Sequence, residues 1–119
     1  VEELEPVLML EEVLCIQTMV REVHVERSLA RYIVDIVQAT RQHHQLKLGV
    51  SPRGSLMLFR SAQAAAFADG RDHVIPDDVQ RLAAPVLAHR TVLTSKARYG
   101  SLTKEEVIEE VLAQVPVPV

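Results

Sequence analysis

Between about Glu26 and His43, Leu29, Ile33, Ile36, Val37 and Thr40 recur every three or four residues, while Arg31, Asp35 and Gln38 fall elsewhere on the helical wheel. A segment with this spacing is satisfied only as a helix with one face buried against other elements. Most of the core must come from aliphatic residues of the same kind. Apolar residues make up 48% of the 119, yet aromatics supply only 3% (Tyr32, Phe59, Phe67 and Tyr99). Leu, Val, Ile and Ala suit close helix packing, and the length allows one core. Residues 1–119 therefore read as one all-α domain, a small bundle of about five helices joined by short extended links.

Four further helices can be placed. The first runs from about Leu10 to Glu22, with Leu10, Val13, Leu14, Gln17, Met19 and Val20 as a broad apolar face and Pro6 just upstream. Glu22-Val23-His24-Val25 alternates and reads as extended. The third helix opens at Ser51-Pro52, a good N-cap followed by a proline that loses nothing at the first helical position. It passes through Leu56, Phe59 and the alanine-rich run 62–66 and stops at Asp69-Gly70, where glycine is free to turn left-handed. After the extended link His73-Val74-Ile75, Pro76-Asp77-Asp78 starts the fourth, with acids where the helix dipole favours them. Its face is Val79, Leu82, Ala83, Val86 and Leu87, and Pro85 should kink or divide it. Residues 90–100 read as irregular, with a short strand at Thr91-Val92-Leu93. Thr103-Lys104-Glu105-Glu106 is a capping box opening a fifth helix to about Gln114, with Val107, Ile108, Val111 and Leu112 inward; Pro116 and Pro118 lie beyond it.

Several function classes lose support. The net charge of −3 argues against broad nucleic-acid binding. No apolar run approaches the ~20 residues that span a bilayer, and no signal peptide is evident. The lone Cys15, in an apolar run, is expected to be buried and inert, and fits a reducing, cytoplasmic setting. The start at Val1 on an acidic stretch reads as a piece of a longer protein. No metal site is expected: the adjacent His43 and His44 should diverge on a helix, and His24, His73 and His89 lack neighbours at ligand spacing. Asp77 and Asp78 read as helix-start acids rather than a catalytic pair. Arg41 compensates a helix end, and Arg71 has Asp72 or Asp78 to pair with. No phosphate-binding loop of the form G-x-x-x-x-G-K-[ST] and no Gly-x-Ser-x-Gly elbow is present.

The most informative short motif is Gly49-Val50-Ser51-Pro52-Arg53-Gly54. It places Arg53 in a helix first turn, where free N–H groups and the positive end of the dipole already gather. A cation there is disfavoured until an anion arrives, so the motif makes a site for phosphate or carboxylate, with Gly54 leaving room beside it. A surface arginine paired with a nearby acid is the other reading.

Taken in order, Val34-Asp35-Ile36-Val37-Gln38-Ala39-Thr40-Arg41, Leu48-Gly49-Val50-Ser51-Pro52-Arg53-Gly54, the run from Asp69 through Gly70-Arg71-Asp72-His73-Val74-Ile75-Pro76-Asp77-Asp78 to Val79, and Pro85-Val86-Leu87-Ala88-His89-Arg90 resemble the C-terminal lid of MoxR-family AAA+ ATPases. The similarity extends from about Leu4 to Pro118. It implies a helical lid in which Arg53 is the sensor-2 arginine that touches the γ-phosphate of ATP, with Ser51, Pro52 and Gly54 beside it. It further implies ATP and Mg2+ in the full-length protein, and a preceding AAA+ α/β subdomain carrying the Walker motifs. Relatives form ring oligomers, commonly hexamers, that act in chaperone-like protein maturation and metal-cofactor insertion, often beside von Willebrand factor A domain proteins. By this resemblance residues 1–119 alone would neither bind ATP tightly nor hydrolyse it. Two other classes compete: a nucleic-acid-binding or histone-like module, suggested by residues 74–79, and a stand-alone domain that binds a partner helix.

Overall fold

The computed structural model describes residues 4–119. Helix α2 (Arg27–Arg41) buries Leu29, Ile33, Ile36, Val37 and Thr40, as their spacing demands, and adds Tyr32. Around it stand α1 (Leu10–Arg21), α3 (Pro52–Ala68), α4 (Pro76–Leu87), α5 (Ser95–Tyr99) and α6 (Lys104–Gln114). The two central partners are α3 and α4, which turn Leu58, Ala62 and Ala66 and Val79, Ala83 and Leu87 into one core with α2 and the Ile108 and Val111 face of α6. Small residues on both helices let the backbones approach. Each large aliphatic side chain removed from water here contributes about 1.5–3 kcal/mol.

The described chain has six helices rather than five, because residues 95–99 form the short α5, with Thr94 Oγ1 accepting the Ala97 N–H at 3.1 Å. The strand read at Thr91-Val92-Leu93 is β2 (Val92–Leu93). It pairs antiparallel with β1 (Leu46–Leu48), in register Leu46 to Leu93 and Leu48 to Val92. This pair roofs a smaller apolar cluster of Leu46, Leu93, Ala97 and Val107. The two extended links meet each other, His24 bridging His73 in parallel. Pro85 does not divide α4. It sits two residues before the helix end, and the chain then tightens into a 3₁₀ turn at Ala88–Arg90.

Helix α1 departs from expectation in its facing. No residue of it is fully buried. Ile16 and Val20 are half-buried, while Leu10, Val13, Leu14 and Met19 stand in solvent, and Cys15 is exposed rather than buried. A broad apolar face let more than one orientation look inward, and only the Ile16 and Val20 edge found partners within the chain. The helix is fastened at its end instead: buried Gln63 of α3 donates to the carbonyls of Arg21, at 3.3 Å, and Val23, at 2.9 Å.

Helix ends otherwise follow the sequence. Gly70 has φ +77°, closing α3. Thr103 Oγ1 accepts the Glu106 N–H at 3.1 Å, and Glu106 accepts the Thr103 N–H at 3.2 Å. Thr103→Ala should therefore cost about 1 kcal/mol in urea unfolding, and Thr103→Ser should recover most of it. A loss in Thr103→Ser equal to that in Thr103→Ala would mean that the methyl group, not the cap, carries the effect.

Candidate functional site

The loop that leads into α3 is clamped onto the last turn of α2. Thr40 is fully buried; its hydroxyl donates to the Val37 carbonyl at 2.6 Å and accepts the Val50 N–H at 3.0 Å. Gly49 lies so near that a Cβ on it would stand 2.5 Å from Arg41 Cα and 2.6 Å from the Arg41 nitrogen. Val50 is buried below, and its Cγ1 occupies the space a side chain on Gly54 would need. The room beside Gly54 is thus filled from within, not left for a ligand as its sequence position suggested.

This clamp presents the start of α3 to solvent. Ser51, Pro52 and Arg53 are exposed, and Gly54 is buried. Ser51 occupies the cap position with extended φ −73° and ψ 164°, but its hydroxyl accepts no N–H, unlike that of Thr103. Pro52 carries no N–H and the Gly54 N–H already bonds to the Ser51 carbonyl at 2.9 Å, which leaves the Arg53 N–H for an outside acceptor. No acid lies in that turn. Among the described residues the arginines in ion pairs are Arg31, Arg71 and Arg81, so the reading of Arg53 as paired with a nearby acid does not hold. An unpaired cation at the positive end of a helix is an electrostatic cost that a bound anion would reverse.

The other charged motif is structural. Buried Asp78 takes Arg71 in a two-pronged contact, at 2.8 and 2.7 Å, and accepts the Ile75 N–H at 3.0 Å. Asp69 accepts from the same guanidinium at 3.0 Å. Burial pushes the Asp78 carboxyl up, but the hydrogen bonds from Arg71 and Ile75 and the charges of Arg71 and Arg81 outweigh it and hold it below the ordinary value. These bonds to Asp78, with Asp69, raise Arg71 in turn against the opposing effect of burial. Arg71 therefore pairs with Asp78 and Asp69, while Asp77 stays exposed in the first turn.

Two histidines pair with neighbouring acids. His24 meets Glu26 and His73 meets Asp72, each at 2.9 Å. His43 and His44 do not diverge; their rings stack at 5.0 Å, and His43 is buried, accepting the Gln45 N–H on Nδ1 at 3.1 Å. Among the described residues no three His, Cys, Asp or Glu side chains come together as a metal cluster. No helix among them is long and apolar enough to cross a membrane.

A sequence profile of the AAA lid domain matches residues 38–111, more than half of the chain. The chain belongs to the AAA lid domain family. The matched residues of this lid hold the whole α2-to-α3 clamp and Arg53. It is 45% identical over 119 residues to YeaC of Bacillus subtilis, covering all of this chain and 37% of that protein. It is 40% identical over 103 residues to the chaperone MoxR1 of Mycobacterium tuberculosis, covering 79% of this chain and 27% of the relative. A crystal structure of a candidate ATPase from Cytophaga hutchinsonii superposes on 92% of the lid with TM-score 0.87 and 30% identity, and the match covers 36% of that chain. The lid thus spans about a third of the length of these relatives, and it is a lid of the MoxR type.

Sequence reasoning singled out Arg53 as a candidate and missed the contacts that hold the loop before it. Thr40 passed as one more member of an apolar face and Gly49 as a connector. The available signal was a hydroxyl on an otherwise aliphatic stripe, which needs a buried partner.

Proposed function

We propose that this domain is the nucleotide-sensing lid of a longer ATP-hydrolysing ring protein, with Arg53 as its sensor-2 arginine. The observation that carries this reading is Arg53 itself: exposed, unpaired among the described residues, and set at an uncapped helix start. Those features fit a phosphate. Magnesium would be held by other parts of the longer protein, since no cluster of carboxylates for it occurs among the described residues. Bound ATP supplies the phosphoryl group, and Mg2+ neutralises charge on the same phosphates. Arg53 contributes a positive charge at the outermost phosphate, backed by its own N–H at the start of α3. The Thr40 and Gly49 clamp keeps both in place, so little reorganisation is needed as charge develops. Through the α3–α4 core, the same contact fixes the position of the lid as a body.

The lid's other partners follow from the same reading: the preceding α/β subdomain, which would carry the Walker motifs, and neighbouring subunits of a ring, commonly a hexamer. The exposed apolar strip of α1 supports docking onto such a body. Chaperone-like maturation of client proteins or insertion of metal cofactors, beside von Willebrand factor A domain proteins and in the cytoplasm, is the role this family membership suggests.

The test is the ATPase rate of the longer protein with Arg53→Ala. A charge-assisted contact worth ~1.5–3 kcal/mol predicts a loss of roughly 10-fold or more with the fold intact. An unchanged rate would remove Arg53 from the γ-phosphate and shift the domain's work to partner binding.

A further inference from the structure

We propose that a groove beside the start of α3 is a second oxyanion site, built from Arg41, Lys47 and Arg90 to hold a phosphate or pyrophosphate group. The groove encloses about 570 Å³ between the end of α2, strand β1, residues 49–52 and the 3₁₀ turn. It adjoins the Arg53 site through Ser51 and Pro52, but Arg53 is not among its lining residues.

Three observations support the assignment. Its lining includes three basic side chains and no Asp or Glu, in a chain where acids outnumber Lys and Arg 16 to 13. None of the three groove cations makes an ion pair among the described residues, so their charge is not neutralised from within. The Arg90 Nε, finally, is shut off from solvent with no acceptor. A buried N–H without a partner is costly, and a guanidinium N–H is more so. Like charges gathered without an acid are disfavoured when empty and favoured once an anion with several acceptor oxygens arrives, which the Arg90 Nε–H reaches only when its side chain turns toward the groove. Guanidinium groups match the oxygens of phosphate in a fork geometry, while lysine adds a mobile point charge.

The groove is also fixed in shape. Arg41 follows Thr40, whose hydroxyl holds the loop, and Gly49 presses that loop onto the Arg41 backbone. Lys47 lies on β1, whose partner β2 begins two residues after Arg90. Arg41 and Lys47, close in sequence, are thus positioned beside the distant Arg90 by the loop clamp and the β1–β2 pairing.

The experiment is a titration of the ¹⁵N-labelled 119-residue chain with sodium pyrophosphate, against sodium chloride at matched ionic strength. The readouts are the amides of residues 48–52 and the Arg90 Nε–H resonance. Saturable shifts are expected with pyrophosphate only. Arg41→Gln and Arg90→Gln should each weaken binding about tenfold, the scale of one charge-assisted contact. Lys47→Gln, at an exposed position safe for folding, should weaken it several-fold, and Arg53→Ala should change it less than about threefold. The last variant separates this site from the sensor reading, which can fail without it. Competition by ATP for the same shifts would identify a nucleotide's phosphates as the source, and binding of pyrophosphate or orthophosphate that ATP does not displace would identify the free anion. Shifts no larger than those from chloride would overturn the proposal. So would binding that survives Arg41→Gln and Lys47→Gln but is lost in Arg53→Ala, because the oxyanion would then sit on α3 alone.

Discussion

Replacing Asp78 with alanine is expected to lower the unfolding free energy by about 3 kcal/mol. The carboxylate is buried and does three things at once: it grips Arg71 with both oxygens, accepts the Ile75 N–H, and lies at the positive end of α4. Truncation leaves the mostly covered Arg71 guanidinium with only Asp69 and the His73 carbonyl, and opens the helix start. Asp77→Ala, one residue away but exposed, should stay within about 0.5 kcal/mol. Urea unfolding of the two variants at pH 7 measures the contrast.

The pH dependence follows with a definite sign. The folded Asp78 carboxyl titrates below its value in the unfolded chain, so its contribution is complete above about pH 4, the unfolded value. It is lost as pH falls through the lower folded value. The stability gap between the parent chain and Asp78→Ala should therefore narrow below about pH 4 and stay constant above about pH 5. A gap as wide at pH 2.5 as at pH 7 would assign the loss to packing instead of charge.

Gly49→Ala is the second large effect. The added methyl would meet backbone atoms of Arg41 and Thr40 at 2.5–2.7 Å, and backbone cannot swing aside as a flexible side chain does. The loop must lift, and the bond from Val50 N–H to Thr40 lengthens or breaks. Overpacking together with a lost buried hydrogen bond predicts about 2–4 kcal/mol. In the longer protein the ATPase rate should fall at least as far as in Arg53→Ala, because displacing a positioned group by about 1 Å can cost ~100-fold. Gly70→Ala is the control: it strains a left-handed residue with nothing within 4 Å, so it should cost about 1 kcal/mol and leave the rate alone. A Gly49→Ala protein with full ATPase activity would show that the loop does not aim Arg53.

How much of this could be read beforehand depended on how local the cause was. The bounds of α3 were legible because Ser51-Pro52 and Asp69-Gly70 act on their own backbone, and the cap of α6 for the same reason. β1 and α5 were not. A three-residue strand exists only because Leu46 meets Leu93, and five residues are too few to show a helical period. The facing of α1 was misread since apolar spacing says which side can be buried and not which side finds a neighbour. At the candidate site Arg53 was legible from its place after a cap and a proline. The groove was not, because Arg90 is brought beside Arg41 and Lys47 only by contacts between distant segments. Arg41 in particular had a sufficient local explanation in the end of α2.

Helix α1 carries one more consequence. Twelve residues with no fully buried side chain are too short to hold a helix by hydrogen bonding alone, because nucleation is costly and each added turn returns little. The Gln63 contacts secure its last carbonyls, not its first turns. Its helical population therefore depends on whatever covers Leu10, Val13, Leu14 and Met19. Amide exchange along α1 becomes a gauge of docking: fast toward Leu10 when the strip is bare, and slow along the whole helix when a neighbouring body closes over it.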